Sequence, residues 1–404
     1  MDARRCRGAA FALAIVIAAS CDPGSRAQSE ADLFDGPAMG PLVIIGGRLD
    51  PKNEPIYRAI LGLRVGADPI CILPTASDRP EESMKSAVAH FERYGGPGSA
   101  IGIDLFHTRA WKADRPKMAR KLEGCGGFFF TDGDQSRVVD TLRPQGRSTL
   151  AEQAILRVHR KGGVISASSS GAAMMNERMI GSGSSDDALT HGIVEDASLP
   201  GVWIRGGMGL LRSGIADQAH LAKGRTGRLL VTLAGLDSVN RGFGIDEDTA
   251  FVIRGTVARV VGSSQVVVFE KVRAGTGPRK LDNARFRMLL LGNGDTYDLL
   301  DGKTEVEVRK DTLRLDTPAP TPLSGPWLAA GLHLFLVDFA VSRTQSSEFT
   351  SRGYRFRLTK AEGFDARGWE IPTGDDLPHG FTAGWFELDI TSEPAPAGTG
   401  QPNP

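Results

Sequence analysis

The sequence predicts an α/β fold with a mostly parallel sheet, helices on both of its faces and a β-rich C-terminal extension. Up to about residue 250, short apolar runs alternate with segments of helical spacing. Strands that alternate with helices form βαβ units, whose strands are parallel. Beyond residue 250 the runs are rich in β-branched residues and are separated by turn signals. This second pattern predicts strands and hairpins.

The predicted strands of the first part are continuous apolar runs, which are typical of strands buried on both faces. In chain order they are "PLVIIGG" (41–47), "PICILPTAS" (69–77), "AIGIDLFHT" (100–108), "GGFFFTDGD" (126–134) and "GGVISASSS" (162–170). Between them, "EESMKSAVAHFERYG" (81–95) has helical spacing that ends at a glycine, and "MARKLEG" (118–124) and "STLAEQAILRVHRKGG" (148–163) are further predicted helices. In such sheets functional residues gather at the carboxyl ends of the strands.

The later strands are predicted at "FVIRGTVARVVG" (251–262), "QVVVFEKV" (265–272), "FRMLLLGNGDTYDLL" (286–300) and "EVEVRKDTLRL" (305–315). We expect five regions along the chain. They are a signal peptide at 1–27, a main domain at 41–265, a β-rich continuation of its core at 266–315, a C-terminal β-rich extension at 326–392 and a disordered tail at 393–404. The sequence leaves open whether the extension packs on the main domain or forms a module of its own.

The charges of the chain balance, since 48 basic residues face 48 acidic ones among 404. Without a large field of one sign, nothing in the composition favours a nucleic acid or an anionic lipid as a partner. Hydrophobic residues make up 41% of the chain, which is enough for a core of ordinary size.

The N-terminus predicts export. Three arginines precede an apolar stretch from Ala9 to Ala19, and small residues lead to a cleavage site after Ala27. The apolar stretch is shorter than the roughly 20 residues of a bilayer-spanning helix, and no later segment predicts one. Cys21 is the alternative, as the acylated cysteine of a lipoprotein. Cys71 and Cys125 remain after cleavage at Ala27, and the sequence does not decide whether they pair.

Three consecutive serines in "VISASSSGAAMM" (164–175) raise the question of a nucleophile. A nucleophile elbow has the pattern G-x-S-x-G, because small residues must flank the serine where a strand turns sharply into a helix. "ASSSG" fits this pattern with Ser169 at its centre and Gly171 at its last position. The alternative is an ordinary turn with serines that cap a helix.

Three more motifs accompany this one, in a fixed order. They are "FTDGDQ" (130–135), "DQAHLAKGRTGRL" (217–229) and "GIDEDTA" (244–250). Together with "ASSSGA" (167–172), they resemble the cyanophycinase family of serine peptidases, which are relatives of the aspartyl dipeptidases. The family patterns are F-T-G-G-D-Q, G-T-S-A-G-A, D-Q-H-F-x-x-R-G-R-x-G-R-L and G-I-D-E-D-T-A. The resemblance covers roughly residues 41 to 265.

The resemblance implies a flavodoxin-like three-layer sandwich and hydrolysis of β-linked aspartyl peptides through an acyl-enzyme. Cyanophycin is polyaspartate with an arginine on each side-chain carboxylate. Ser169 would be the nucleophile, and Glu247 would orient a histidine that acts as the base. The backbone N–H groups of Ser170, Asp132 and Gly133 would form the oxyanion hole. The residues implied to line the site are Gln135, Asp217, Gln218, Arg225 and Arg228, and the arginines suit a substrate carboxylate.

The pattern departs from the family at the base. Without gaps, the family's histidine falls on Ala219, and the only nearby imidazole is that of His220, where a phenylalanine is usual. Neighbouring side chains point to opposite faces of a strand, so His220 reaches Ser169 only if the register slips by one residue. Asp132 also replaces a glycine beside the oxyanion turn, where a carboxylate opposes a developing negative charge.

Two hypotheses follow. In the first, the chain is an exported peptidase whose activity is impaired and whose base is His220 or another group. In the second, it is a pseudoenzyme that binds an acidic or arginine-bearing peptide. The histidines and cysteines show no metal-ligand spacing, so neither a metal nor a cofactor is expected. A peptide is the expected ligand, and a homodimer is left open.

Overall fold

The computed structural model describes residues 39–319, 332–369 and 380–393. The predicted signal peptide, Cys21 and the predicted tail beyond Glu393 lie outside these ranges. Within them no helix is both long and apolar enough to cross a bilayer.

The first sheet is mixed and has nine strands. Its five parallel strands lie in the order β3-β2-β4-β5-β1. They are β1 (Leu42–Ile45), β2 (Ile70–Leu73), β3 (Ala100–Gly102), β4 (Gly127–Phe130) and β5 (Val164–Ser168). Four antiparallel strands continue from β1, namely β11 (Thr249–Arg254), β12 (Val257–Gly262), β15 (Thr296–Asp298) and β16 (Thr304–Glu305).

Helices cover both faces of the parallel strands, as their apolar runs predict. On one face, Val43 and Ile45 pack with residues of α1 (Glu54–Gly62) and α2 (Pro80–Gly95). On the other face, Leu42 and Ile44 belong to a core with residues of α3 (Pro116–Glu123), α4 (Gln135–Leu142) and α5 (Leu150–Arg160). Because both faces are buried, the strands have no polar alternation. The predicted α/β fold with helices on both faces is confirmed.

A second sheet packs on the same face as α3 to α5, since Val266 and Val268 share the core of Leu42 and Ile44. Its main path runs β17-β20-β21-β14-β13-β10-β9, and a β18–β19 hairpin joins it at β21. The strands are β9 (Ile215–Gln218), β10 (Arg241–Ile245), β13 (Val266–Arg273), β14 (Ala284–Leu291), β17 (Asp311–Thr312), β18 (Ser346–Ser351), β19 (Tyr354–Lys360), β20 (Ala366–Gly368) and β21 (Thr382–Ser392). Of these neighbours, β9 and β10 are parallel.

The remaining described elements are a small third sheet and several helices. A small sheet consists of β6 (Arg178–Ser182), β7 (Ile193–Val194) and β8 (Val202–Gly206). The helices are α6 (Ser170–Ala173), α7 (Ser185–His191), α8 (Thr226–Gly235) and α9 (Leu332–Val341), and two 3-10 helices lie at His107–Asp114 and Pro144–Gly146. Helix α8 connects the parallel strands β9 and β10, which forms a βαβ unit.

The C-terminal extension joins the second sheet, because β21 pairs along its length with β14 and β19. It also contains α9, which the sequence does not predict as a helix. Its sequence "LHLFLVDFAV" is apolar on nearly all sides and therefore has no amphipathic period to reveal a helix. The buried ammonium of Lys310 donates hydrogen bonds to Asp295 (2.7 Å) and to Thr382 of β21 (2.8 Å). These bonds connect the extension to Asp295, which directly precedes β15.

The structure decides the question of the two cysteines. Cys71 of β2 and Cys125, which precedes β4, form a disulfide with a Cα–Cα distance of 5.8 Å. Since β2 and β4 are adjacent parallel strands, the disulfide links neighbours that are 54 residues apart in the chain. Both cysteines are buried.

Candidate active site

Ser169 lies at a sharp corner between a strand and a helix. Strand β5 ends at Ser168 and α6 begins at Ser170, while Ser169 itself has φ 54° and ψ −137°. A positive φ is uncommon for a residue with a Cβ and is found where the surrounding structure enforces strain, often at functional sites. The Ser169 N–H donates to the carbonyl of Ile45 (3.0 Å), which fixes the corner beside the end of β1. This geometry is that of a nucleophile elbow.

Two glycines allow this corner to form. A methyl group on Gly171 would lie 2.6 Å from the carbonyl oxygen of Thr131, so only glycine fits against the end of β4. Gly47 has φ 112°, and a methyl group there would lie 3.0 Å from both Cβ and Oγ of Ser169. Gly47 therefore borders the hydroxyl directly. From the sequence alone, Gly46 and Gly47 are interpreted only as the end of a predicted strand. Two consecutive glycines after a buried apolar run are the sequence signal that could have indicated this close contact.

The turn after β4 lies next to the corner. In the parallel β4–β5 pair Phe130 is opposite Ala167, and a methyl group on Gly171 would contact the Thr131 oxygen, so the turn after β4 leaves the sheet beside Ser169. Gly133 has φ 146°, and its Cα approaches Ala76 so closely that a methyl group would lie 2.1 Å from the Ala76 oxygen. Among the described residues, no backbone carbonyl accepts a hydrogen bond from the N–H of Asp132, Gly133 or Ser170. These N–H groups thus have the freedom that an oxyanion hole needs.

The carboxylate of Asp132 lies on the wall of this corner. The side chain of Asp132 is accessible to solvent, but protein atoms lie close to it on several sides. This crowding raises the pKa of Asp132, and the Ser168 hydroxyl, the Arg48 N–H and the charge of Lys223 oppose the increase in part. A group that is both accessible and crowded by protein lies in a cleft. Asp132 therefore places a titratable carboxyl beside the presumed oxyanion hole.

Ala219, which the resemblance aligns with the family's histidine, follows β9 directly. It is buried and has φ 47°, and its N–H donates to the carbonyl of Gly46 (2.8 Å). Gly46 in turn precedes Gly47, which borders the Ser169 hydroxyl. The position aligned with the family's histidine thus lies near Ser169 but carries only a methyl group. In the described ranges, no side chain forms a hydrogen bond with the Ser169 hydroxyl.

His220 does not replace the missing base. Its ring is fully buried, Nε2 is 3.0 Å from Oγ1 of Thr226, and the ring centroid is 5.7 Å from that of Phe269. The ring also packs flat against Gly244, where a methyl group would lie 2.3 Å away. Burial lowers the pKa of His220 to about 4, although the nearby carboxylates of Asp217 and Asp246 oppose the decrease. The expectation that His220 serves as the base does not fit this geometry, because the register does not slip.

Glu247 lies in the turn after β10 and is 18% exposed. With no histidine to orient, its carboxylate pairs with Arg48, whose Nη1 is 3.4 Å from Oε2. The turn is fastened to the corner by the N–H of Asp248, which donates to the carbonyl of Gly47 (2.8 Å). The structure therefore brings Glu247 to the same cleft as Ser169 and adds Arg48, which the sequence did not single out.

Arg228 and Asp217 form a buried pair. Nε of Arg228 donates to Oδ2 of Asp217 (2.9 Å), Nη2 donates to Oδ1, and Nη1 donates to the carbonyl of Gly183 (2.8 Å). Burial by itself raises the pKa of Asp217, but the charge and hydrogen bonds of Arg228, together with the charge of Arg225, outweigh burial and keep that pKa below its usual range. The guanidinium of Arg228 is thus fully engaged within the protein. It does not offer the free fork for a substrate carboxylate that the resemblance implies.

Three other residues expected at the site have different surroundings. Gln135 is buried, and its amide donates to the carbonyls of Ile180 (3.0 Å) and Gly181 (2.8 Å). Gln218 is also buried, and its backbone carbonyl accepts a hydrogen bond from Nη1 of Arg225 (2.6 Å). Arg225 keeps 17% of its side chain exposed and lies close enough to Glu247 for the two charges to interact. Arg225 is therefore the arginine of this motif that remains accessible to a ligand.

In the described part of the chain, no three histidine, cysteine or acidic side chains are grouped suitably for a metal ion. The groups that the structure places around Ser169 are the backbone N–H groups beside it and charged side chains of both signs.

Sequence comparisons identify relatives of the chain. No family model matches it. It is 31% identical over 235 residues to a cyanophycinase from Nostoc sp., and the match covers 57% of this chain and 73% of the relative. It is 29% identical over 269 residues to a cyanophycinase from Geminocystis herdmanii, covering 64% of this chain and 93% of the relative.

Two solved structures are also similar. A peptidase from an acI-B1 Actinobacterium matches with a TM-score of 0.44 and 18% identity, covering 58% of this chain and 91% of that one. A putative peptidase E from Listeria monocytogenes matches with a TM-score of 0.36 and 15% identity, covering 56% of this chain and all of that one.

Proposed function

The chain belongs to the cyanophycinase family, whose members are serine-type peptidases, and on that premise we propose that its Ser169 cleft binds β-linked aspartyl peptides and hydrolyses them only slowly. The observation that carries the proposal is the strained corner at Ser169 beside a methyl group at Ala219. The nucleophile is presented for attack, but the group that should accept its proton is absent.

The expected rate follows from the chemistry of the first step. Attack by Oγ of Ser169 on the carbonyl carbon transfers the hydroxyl proton to a base, and a serine hydroxyl without an adjacent base is a poor nucleophile. When a member of a catalytic triad is lost, oxyanion stabilisation and binding still leave an acceleration of ~10³ to 10⁴ over water. We therefore expect slow turnover rather than the rate of a complete triad.

The charges around the cleft support a ligand that carries both signs. Arg225 and the largely exposed Arg48 present cations, and Glu247 and Asp132 present carboxyl groups. A β-aspartyl-arginine unit carries a free carboxylate and a guanidinium, so each charge meets a partner of opposite sign. An arginine fork suits a carboxylate because two parallel hydrogen bonds form.

The proposal includes export from the cytoplasm. The apolar N-terminal stretch after three arginines supports it, and so does the disulfide between Cys71 and Cys125. Disulfides persist in oxidising compartments and are rare in the cytosol. Cell fractionation tests this part, since a protein found only in the cytosol with free thiols at both cysteines would contradict it.

The activity is tested with the purified protein and its Ser169→Ala variant, which differ by one oxygen atom. Both are incubated with β-aspartyl-arginine dipeptide and with cyanophycin, and released arginine is quantified over days. We expect slow release by the parent that exceeds release by Ser169→Ala at least tenfold. Equal release by the two proteins would contradict hydrolysis at Ser169.

Binding without cleavage is the second candidate, and the buried His220 favours it because that ring has no access to Ser169. Calorimetric titration of Ser169→Ala with the same dipeptide separates the two candidates. Saturable binding combined with no release by the parent would identify a pseudoenzyme. Neither binding nor release would contradict both candidates and leave only the family membership.

A further inference from the structure

A basic segment with an exposed tryptophan lies at the edge of the first sheet. Residues 107–121 contain six lysines and arginines and one acidic residue, although the whole chain is neutral. The segment follows the edge strand β3 and comprises the 3-10 helix His107–Asp114 and most of α3. The balanced composition therefore hides a local excess of positive charge.

Trp111 is the most unusual residue of this segment. Its side chain is 61% exposed, whereas large aromatic residues usually bury most of their surface. The guanidinium of Arg115 lies 5.1 Å from the centroid of the indole, and the ammonium of Lys112 lies 5.9 Å from it. The indole is thus presented to solvent with cations around it.

Most carboxylates of this surface are already paired. Glu81 pairs with Arg109, Asp104 with Lys112, and Asp114 with Arg147. In contrast, Arg115, Lys117 and Arg120 form no ion pair with any residue that the structure describes, and all three are exposed. We call Trp111, Arg115, Lys117 and Arg120 the Trp111 patch. Its cations are not neutralised by the acidic residues around it.

The helix beneath the patch explains its geometry. In α3, Met118, Ala119 and Leu122 are buried against the core, which leaves Lys117 and Arg120 together on the outer face at a spacing of three residues. Arg115 precedes the helix and extends this face towards Trp111. The fold therefore gathers one indole and three unpaired cations on one side of the molecule.

We propose that the Trp111 patch docks the protein on an anionic lipid surface. An indole is suited to the boundary between headgroups and acyl chains because it is amphipathic, and arginine and lysine extend towards the phosphates. Each cation near an anionic membrane strengthens binding by about fivefold. The binding is peripheral and independent of the Ser169 cleft, so it does not rest on the proposed hydrolysis.

The test is co-sedimentation of the purified full-length protein with vesicles of phosphatidylcholine alone or with roughly 30% phosphatidylglycerol, which gives the surface a negative charge. We expect binding to the anionic vesicles that weakens at high salt, because surface charges are screened. A retained N-terminal apolar stretch would also favour the anionic vesicles, because three arginines precede it. The preference for anionic lipid is therefore assigned to the patch only by variants that change the patch and leave the N-terminus intact.

Matched variants locate the binding. Trp111→Ala and the pair Lys117→Glu with Arg120→Glu should each reduce the bound fraction at least fivefold. The pair Lys52→Glu with Arg254→Glu makes the same change in net charge at exposed cations outside the patch. This control pair should leave the bound fraction unchanged. Thermal melts verify that each variant is folded. Equal loss in the control pair, or no preference for the anionic vesicles, would overturn the proposal.

A soluble polyanion is the alternative partner and is tested in the same series. Polyaspartate at matched charge concentration should compete only weakly with anionic vesicles for the protein, because it offers no apolar layer for the indole of Trp111. Tight binding of polyaspartate that survives Trp111→Ala, together with no vesicle binding, would overturn the lipid proposal in favour of an acidic polymer.

Discussion

The N–H of Ala219 donates a 2.8 Å hydrogen bond to the carbonyl of Gly46, whose neighbour Gly47 borders the hydroxyl of Ser169. Under the proposed function, this bond holds the residue at the family's base position beside the nucleophile. The backbone around Ser169 is then in place for catalysis although the imidazole is absent. Restoring the site requires a side chain rather than a rearrangement of the backbone.

The first prediction concerns Ala219→His. Histidine is found at positive φ more often than most residues with a Cβ, so the backbone at φ 47° should accept it. A positioned general base typically contributes ~10² to 10⁴ in rate, and we expect an increase of that size in arginine release from β-aspartyl-arginine dipeptide. Ala219→Asn is the matched control, since it suits the same backbone but supplies no base. Equal rates in both variants would contradict a backbone that is in place for catalysis.

The second prediction concerns Asp132→Gly, which restores the family's residue beside the oxyanion turn. Removal of a carboxylate that opposes the developing oxyanion should raise the rate about tenfold, measured in the Ala219→His background. Asp132→Asn should give a similar gain, because it removes the same charge without changing the size.

The pH dependence checks this reasoning. Crowding raises the pKa of Asp132, so the parent carboxyl is charged above that pKa and neutral below it. The advantage of the variants should therefore be greatest at alkaline pH and shrink as the pH falls. A rate that decreases in both Asp132 variants would instead identify Asp132 as a useful proton acceptor.

The third prediction concerns the buried ion pair between Lys310 and Asp295, whose side chains are both fully buried. Lys310→Ala leaves the Asp295 carboxylate buried without its partner, which typically destabilises a protein by about 3 to 5 kcal/mol. Lys303→Ala breaks an exposed pair with Asp301 and should leave the free energy of unfolding almost unchanged. Urea unfolding measures both free energies. Similar values would show that Lys310 does not fasten the extension.

The fourth prediction concerns stability in acid. The pKa of His220 is about 4 in the folded protein, against 6.5 for an ordinary histidine, because burial disfavours the charged ring. As the pH falls from about 7 to 4, the unfolded chain takes up a proton that the folded protein does not, so folding stability decreases. The contribution of His220 to this decrease is about 3 kcal/mol at most.

His220→Phe removes this proton uptake and should flatten the dependence of the free energy of unfolding on pH between 7 and 4. His333, whose pKa burial also lowers to about 4, accounts for part of the remaining slope. Urea unfolding at several pH values provides the measurement. Parallel curves for the parent and His220→Phe would contradict the burial of a neutral ring.

The sequence by itself determined the elements whose signals are local. Continuous apolar runs predicted the parallel strands of the first sheet, and a serine between small residues after such a run predicted the elbow at Ser169. These signals suffice because a strand buried on both faces and a sharp turn each impose their own residue types over a few positions. Helix α9 was missed since a helix that is apolar on all sides has no period.

The tertiary structure decided which way side chains point and what they contact. The order "AH" at 219 and 220 is visible in the sequence, but only the contacts of Ala219 with Gly46 and of His220 with Gly244 put the methyl group near Ser169 and bury the imidazole. Likewise, the guanidinium of Arg228 is hydrogen-bonded to Asp217, and Cys71 and Cys125 form a disulfide between adjacent strands. Such contacts join residues from distant parts of the chain, and the free energy that selects them comes from packing and charge pairing in the assembled fold rather than from local preference.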